Sequence, residues 1–275
     1  MSGEFLERMA EFSRRRSGKA KERMAEDELR RRVERLPPPP DLAFSPDGFD
    51  LIAEIKPRSP SEGRLAGAGF SPVALARQYA SAGAAALSVL TEPSRFGGSL
   101  ELLADISKAA AGTPVMRKDF LVDPYQVLEA RLHGASGVLL IVGMTDDANT
   151  EAMLATALAC GMFSLLEAFE NAELECAREM AARVDAPRDE VLLGLNCRDL
   201  RTLQVDRGRF EHVDPFDAGG YRMIAESGIE DARQAGELAA RGWDGLLIGT
   251  ALMRAADPHE LAAGMLAEGR RRRRP

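Results

Sequence analysis

Six polar side chains stand at the ends of short apolar runs in this chain: Glu54, Lys56, Lys118, Glu167, Asn196 and Glu226. Two amines placed among carboxylates can hold their pKa values apart, which is what one site needs to supply both an acid and a base. Lysine is informative here because only five of the 36 basic residues are lysine: Lys19, Lys21, Lys56, Lys108 and Lys118. Arginine stays protonated, whereas lysine can exchange a proton. Glu54 and Lys56 lie two residues apart, so one face of a strand carries both, and their burial is costly unless they are paired or functional. The plain alternative for that pair is a structural ion pair. Two small-residue pairs, Ser227 with Gly228 and Gly249 with Thr250, follow the last two runs. Small residues there let backbone N–H groups approach an anion, although each pair taken alone is also ordinary turn chemistry.

The elements that position these groups are legible from periodicity. Near-continuous apolar runs at 51–55, 85–90, 114–116, 137–142, 163–166, 191–195, 222–225 and 245–248 read as strands buried on both faces. Segments 72–82, 124–133, 148–160, 172–184 and 231–241 are apolar at helical spacing. Gly83, Gly134 and Gly242 each follow such a segment, as helix C-terminal caps do. Eight strands alternating with helices predict an α/β fold, a (β/α)₈ TIM barrel. An open doubly wound sheet is the rival, and no GxGxxG follows the first strand to favour it. In a barrel the polar groups fall at the C-terminal strand ends, where such folds place their active sites.

Residues 1–40 predict an N-terminal helical extension, since Phe5, Met9 and Phe12, then Leu29, Val33 and Leu36, recur at helical spacing before prolines 37–40 break the chain. The barrel is expected over 41–269 and a basic, disordered tail over 270–275. Net charge is −7 overall, with +3 in the first 40 residues and +5 in the tail, leaving an acidic body of −15. That body argues against a nucleic-acid surface. No run of about 18 apolar residues suggests a membrane span, and no secretory signal is evident, so a cytoplasmic location is expected. Cys160, Cys176 and Cys197 are too scattered for a disulfide framework or a zinc knuckle. His133, His212 and His259 read as surface residues. With no HExxH, CxxC or Ser-His-Asp order, neither metal nor cofactor is implied.

Longer motifs make the reading specific. The chain resembles the indole-3-glycerol phosphate synthase family in 51–61 (LIAEIKPRSPS), 88–100 (SVLTEPSRFGGSL), 114–129 (PVMRKDFLVDPYQVLE), 194–203 (GLNCRDLRTL), 225–229 (AESGI) and 248–258 (IGTALMRAADP). The resemblance runs from about residue 48 to 260. It implies ring closure of 1-(o-carboxyphenylamino)-1-deoxyribulose 5-phosphate, with loss of carbon dioxide and water. It implies Lys118 as general acid, Glu167 and Lys56 for the later dehydration, Glu54 opposite the positive charge on the ring nitrogen, and Asn196 bonding sugar hydroxyls or a carboxylate. Arg198 and Lys56 would meet the anthranilate carboxylate. Ser59, Ser227, Gly228, Gly249 and Thr250 would hold the phosphate, with Glu226 also in the substrate site. Phe96, Phe120 and Leu139 would line an aromatic pocket. The implied partner is a small phosphorylated molecule, and the implied assembly a monomer or homodimer. N-terminal helices would lie near the mouth, and loop 61–70 would be a lid.

The chain departs from the family pattern at Phe169, Cys197, Thr250 and Ala251, and in an apparent short insertion at 185–190. Its N-terminal segment matches poorly. These departures leave room for a paralogue with a modified anthranilate. Three rivals stand beside the synthase. An isomerase of the same fold wants a Cys/Asp pair at strands one and four. A Schiff-base aldolase would use Lys118 with its pKa lowered by Lys56. A non-catalytic binding relative would keep the barrel and the phosphate site.

Overall fold

The computed structural model describes residues 3–45, 48–59, 63–64, 71–110, 112–198 and 204–273. Eight parallel strands close into a barrel: β1 (Asp50–Ile55), β2 (Ala86–Leu90), β3 (Val115–Lys118), β4 (Gly137–Ile141), β5 (Phe163–Ala168), β6 (Val191–Asn196), β7 (Arg222–Glu226) and β8 (Gly245–Ile248). Each pairs with its sequence neighbours, and β8 closes on β1 through Asp50 to Ala53 against Gly245 to Ile248. All eight predicted strands are present.

Side-chain alternation sorts the strands into two cores. Ile52, Ala86, Met116, Leu139, Leu165, Leu192, Ile224 and Leu247 point inward and fill the barrel. Their neighbours Ala53, Leu87, Val115, Leu140, Leu166, Leu193, Ala225 and Ile248 point outward to the helices. With a period of two, every inward position recurs two residues on, so the next inward side chains after Ile52, Met116, Leu165 and Ile224 are Glu54, Lys118, Glu167 and Glu226.

The helices are α1 (Gly3–Arg23), α2 (Glu26–Val33), α3 (Pro72–Ser81), α4 (Leu100–Ala109), α5 (Pro124–Leu132), α6 (Asp147–Ala159), α7 (Asn171–Arg183), α8 (Ala232–Ala240), α9 (Thr250–Arg254) and α10 (Pro258–Arg272). Their starts are written in the sequence. Ser71, Ser99, Asp123, Asp146, Asp231 and Asp257 each accept a hydrogen bond from a first-turn N–H, and Pro72, Pro124 and Pro258 stand just inside. Between β6 and β7 two 3₁₀ turns, Arg207–Glu211 and Pro215–Asp217, replace an α-helix.

The N-terminal extension packs on the barrel. Met9 and Ala10 of α1 join the interior cluster, and Phe5 meets Phe120 edge-on at 6.0 Å. The Tyr125 hydroxyl donates to the carbonyls of Ala20 and Met24 at the end of α1. Leu29 and Val33 of α2 pack on Tyr125 and Leu128 of α5, and the Arg131 guanidinium donates to the Pro37 carbonyl beside the proline break.

The C-terminal arginines differ from expectation. Arg270, Arg271 and Arg272 continue α10 rather than fraying. Arg270 donates to the Phe49 carbonyl at 3.1 Å and to Asp50 at 3.2 Å, while Arg273 pairs with Asp244 at 2.6 Å. Asp50 and Asp244 begin or precede β1 and β8, so these arginines clasp the strand pair that closes the barrel. Burial pushes both carboxyl pKa values up, against the pull of those cations. Positions 274 and 275 lie outside the described residues. Arg270→Ala removes both of its hydrogen bonds and is expected to destabilise the fold by about 1–2 kcal/mol. Urea unfolding of the variant checks this, and an unchanged midpoint contradicts the clasp.

Candidate active site

The C-terminal strand ends surround a cavity of about 800 Å³, within the size range of small-ligand sites. Lys118 on β3 sits at its centre. Its ammonium donates to Glu167 at 2.7 Å and to Glu226 at 3.1 Å. Asn196 on β6 donates to the other oxygen of Glu167 at 3.3 Å. Lys56, just past β1, pairs with Glu54 at 2.6 Å. Glu54, Glu167, Asn196 and Glu226 are all buried.

Two glycines make room for the carboxylates. A Cβ on Gly194 would run into Oε1 of Glu226, and one on Gly249 into Oε1 of Glu54. Sequence reading named Gly249 for phosphate and did not name Gly194. The available signal was a glycine inside a buried strand, which marks a close approach.

The electrostatics follow from this crowding. Burial alone would push the Lys118 ammonium down in pKa, but Glu167, Glu226 and Glu54 outweigh it, so the amine stays protonated above the ordinary lysine range. Burial likewise opposes charge on Glu54, yet Lys56 and Lys118 overcome it and hold its carboxyl below the usual value. Glu226 goes the other way. Burial and the adjacent Glu167 raise its pKa well above that of a free carboxylate, and Lys118 offsets this only in part. One ammonium faces two carboxylates, which makes Glu226 the easier of the two to protonate. Its Oε1 accepts no hydrogen bond among the described residues. Glu226 was expected as a substrate contact, and the structure pairs it directly with Lys118.

The other expected residues fall as follows. Phe96, Phe120 and Leu139 line one side of the cavity, and the Phe96 and Phe120 rings lie 6.1 Å apart. Ser227, Gly228, Gly249, Thr250 and Arg198 line the other parts, with the Arg198 N–H donating to Asn196 at 2.9 Å. Ser227 holds a left-handed φ of 69° and Gly228 one of 74°. A non-glycine residue held there is strained, and such strain collects at functional sites. Ser59 lies in a short hairpin beyond β1, in which Arg58–Ser59 pairs with Gly63–Arg64. The expected lid, 61–70, falls outside the described residues except for Gly63 and Arg64. Cys197 points away from Asn196 into the outer core, with its thiol pushed up to about 12 by burial. Among the described residues no group of three His, Cys, Asp or Glu side chains could hold a metal ion, and no helix is long and apolar enough to cross a membrane. Arg207 and Arg254 also line the cavity and were not expected.

Similarity to known proteins agrees with this geometry. The family model described as indole-3-glycerol phosphate synthase matches residues 6–264. The chain belongs to the indole-3-glycerol phosphate synthase family. Its match begins inside α1, so the N-terminal extension is part of the family unit, contrary to the poor fit expected there. An indole-3-glycerol phosphate synthase from a Parafrankia species is 43% identical over 88% of this chain and 87% of its own length. One from Mycolicibacterium smegmatis is 39% identical, covering 88% of this chain and 86% of the relative. Among solved structures, 3-hexulose-6-phosphate synthase from Salmonella typhimurium superposes with a TM-score of 0.57 at 13% identity, covering 81% of this chain and 99% of that one. That likeness speaks for the barrel alone.

The raised Glu226 pKa has a measurable sign. At low pH its carboxyl is neutral. As pH rises through its raised pKa, a second carboxylate appears beside Lys118. Glu226→Gln mimics the neutral acid, so its pH profile of kcat/KM is expected to lack any limb above the ordinary carboxylate range that the wild type shows. Glu167→Gln removes the charge that neutralises Lys118 and is expected to cost about 10²-fold or more in kcat. Equal losses in the two variants contradict this division.

Proposed function

We propose that this chain closes the indole ring of 1-(o-carboxyphenylamino)-1-deoxyribulose 5-phosphate, releasing carbon dioxide and water, as a step of tryptophan biosynthesis. The observation that carries this reading is the Lys118 ammonium held between Glu167 and Glu226, in a cavity that also contains the Glu54–Lys56 pair. The ring carbon bearing the carboxylate attacks the sugar carbonyl, and Lys118 donates a proton to the carbonyl oxygen as charge develops there. The electron pair of the breaking carbon–carboxylate bond returns to the ring as carbon dioxide leaves. Glu54, kept anionic, stabilises the positive charge on the ring nitrogen. Glu167 and Lys56 serve the dehydration, in which the new hydroxyl leaves as water and a proton leaves the adjacent carbon.

The aryl ring fits the apolar wall of Phe96, Phe120 and Leu139, with Arg198 and Lys56 for its carboxylate. The backbone amides of Gly228, Gly249 and Thr250, with the Ser227 side chain, take the phosphate, and Ser59 remains a candidate beside them. The Schiff-base alternative loses support, because it needs a lysine pushed down in pKa and Lys118 is pushed up. The isomerase loses support because the first strand carries Glu54, with Lys56 just past it, where a cysteine is wanted, and the fourth is followed by no carboxylate before Asp146.

Purified protein mixed with the carboxyphenylamino sugar phosphate is expected to develop indole fluorescence without any additive, and an inert protein refutes the reading. Lys118→Ala should lower kcat by roughly 10²–10⁴-fold, the scale of a lost general acid. A Cβ on Gly228 would meet Val205 at 2.5 Å and Cys197 at 3.1 Å, at a φ that only glycine adopts freely. Gly228→Ala is therefore expected to raise KM more than it lowers kcat, by about tenfold. Steady-state kinetics separate the two parameters.

A further inference from the structure

Two carboxylates beside the cavity are buried and take no direct part in the chemistry described above: Asp119, between Lys118 and Phe120, and Glu92, in the loop after β2. Each organises backbone next to one aromatic ring of the cavity wall. Asp119 Oδ1 accepts the Phe120 N–H at 2.8 Å. Glu92 accepts the N–H groups of Ser94, Arg95 and Phe96 at 2.8, 2.6 and 3.2 Å, and the Ser94 hydroxyl at 2.5 Å. The Phe96 and Phe120 rings then face each other across 6.1 Å.

One cation joins the two. The Arg16 guanidinium, from the fourth turn of α1, donates to Asp119 Oδ1 at 2.6 Å and to Glu92 Oε1 at 3.5 Å. The fork geometry of arginine suits such a bridge between two acceptors. Asp119 has further partners in Arg117 at 3.1 Å and Thr91 at 2.7 Å. For Glu92, Arg16 is the one cation within ion-pair distance among the described residues. A buried carboxylate left without its counter-charge is expensive, so the loop carrying Phe96 would relax if Arg16 were lost. Ser13 and Ser17, both buried on the same face of α1, fix its register by bonding Gln126 and Asp123 of the barrel.

We propose that Arg16 is a positioning residue that sets the Phe96–Phe120 wall and so determines selectivity for the aryl end of the substrate. This makes α1 part of the substrate site through charge, although Arg16 itself touches no substrate atom. The proposal rests on the reading above that the aryl ring occupies this wall. Its effect is confined to one end, since Phe96 and Phe120 follow β2 and β3, whereas the amides of Gly228, Gly249 and Thr250 follow β7 and β8.

The test compares two ligands by calorimetry on the full chain. One is 1-(o-carboxyphenylamino)-1-deoxyribitol 5-phosphate, a reduced analogue that cannot react. The other is 1-amino-1-deoxyribitol 5-phosphate, which lacks the ring. Arg16→Met is expected to weaken the aryl ligand about tenfold and the ring-less ligand less than about twofold, while Arg16→Lys recovers most of the loss. KM should rise with kcat nearly unchanged. Equal losses for both ligands, or none, overturn the proposal. If Arg16→Met does not fold, Glu92→Gln replaces it. The same ring-selective loss is expected there, and a uniform loss or none overturns the proposal. A wild type without preference for the aryl ligand instead contradicts the placement of the ring. Hydrogen exchange at residues 94–96 and 119–120 then decides the role of Arg16 without any ligand. Faster exchange there in the variant supports the bridge, and unchanged exchange overturns it.

Discussion

The contact between the Lys118 ammonium and Glu167 governs the rest of the barrel mouth. Charged groups removed from water are among the most expensive things a fold can bury. Here the expense is met by placing opposite charges within 3.1 Å of one another and by closing the barrel below them with a dry floor of Met116, Leu139, Leu165, Leu192, Ile224 and Leu247. That floor keeps the local dielectric low, which strengthens every charge interaction above it. Strand parity supplies the arrangement. Glu54, Lys118, Glu167 and Glu226 come from β1, β3, β5 and β7, the odd strands, as one layer of a barrel interior does. At the adjoining even strands β6 and β8, Gly194 and Gly249 leave the space that the carboxylates of Glu226 and Glu54 fill. Alternation of strands and alternation of residue size thus produce one site.

Much of this was legible in the chain because the signals are local. Eight apolar runs with turn residues between them specify strands, and period two then fixes which side chain of each run faces inward. The identity of Glu54, Lys56, Lys118, Glu167, Asn196 and Glu226 as one cluster follows from those two facts alone. Pairing within the cluster does not. Whether Lys118 meets Glu54, Glu167 or Glu226 depends on barrel stagger and on small residues such as Gly194, which no single run encodes. The 3.1 Å contact between Glu226 and the Lys118 amine is one such pairing that the sequence does not specify.

The basic residues at the two ends were harder to read for the same reason. Arg270 and Arg273 looked like a solvated tail, because their partners Asp50 and Asp244 are about 220 and 29 residues away in sequence. Arg16 sat in a run of three arginines on a charged helix, and nothing in its neighbours distinguishes it from Arg14 or Arg15. Only the packing of Met9 and Ala10 against the barrel turns that one guanidinium toward Asp119. A charged helix in a sequence thus conceals which of its charges faces the barrel.

An acidic protein that takes a doubly anionic substrate poses a conflict that the site geometry resolves. Carboxylates around Lys118 weaken the attraction of the cavity for anions, yet the same carboxylates keep the amine protonated and so available as an acid. In the proposed reading, anion recognition draws on Lys56 and Arg198 for the carboxylate and on backbone amides for the phosphate. Arg198 and the amides around Gly228 and Gly249 lie on β6, β7 and β8 or just past them, along the same cavity. Backbone amides carry no net charge that Glu167 and Glu226 could neutralise, so in the proposed reading they take the phosphate without competing for those carboxylates. The left-handed backbone at Ser227 and Gly228 belongs to this division of labour.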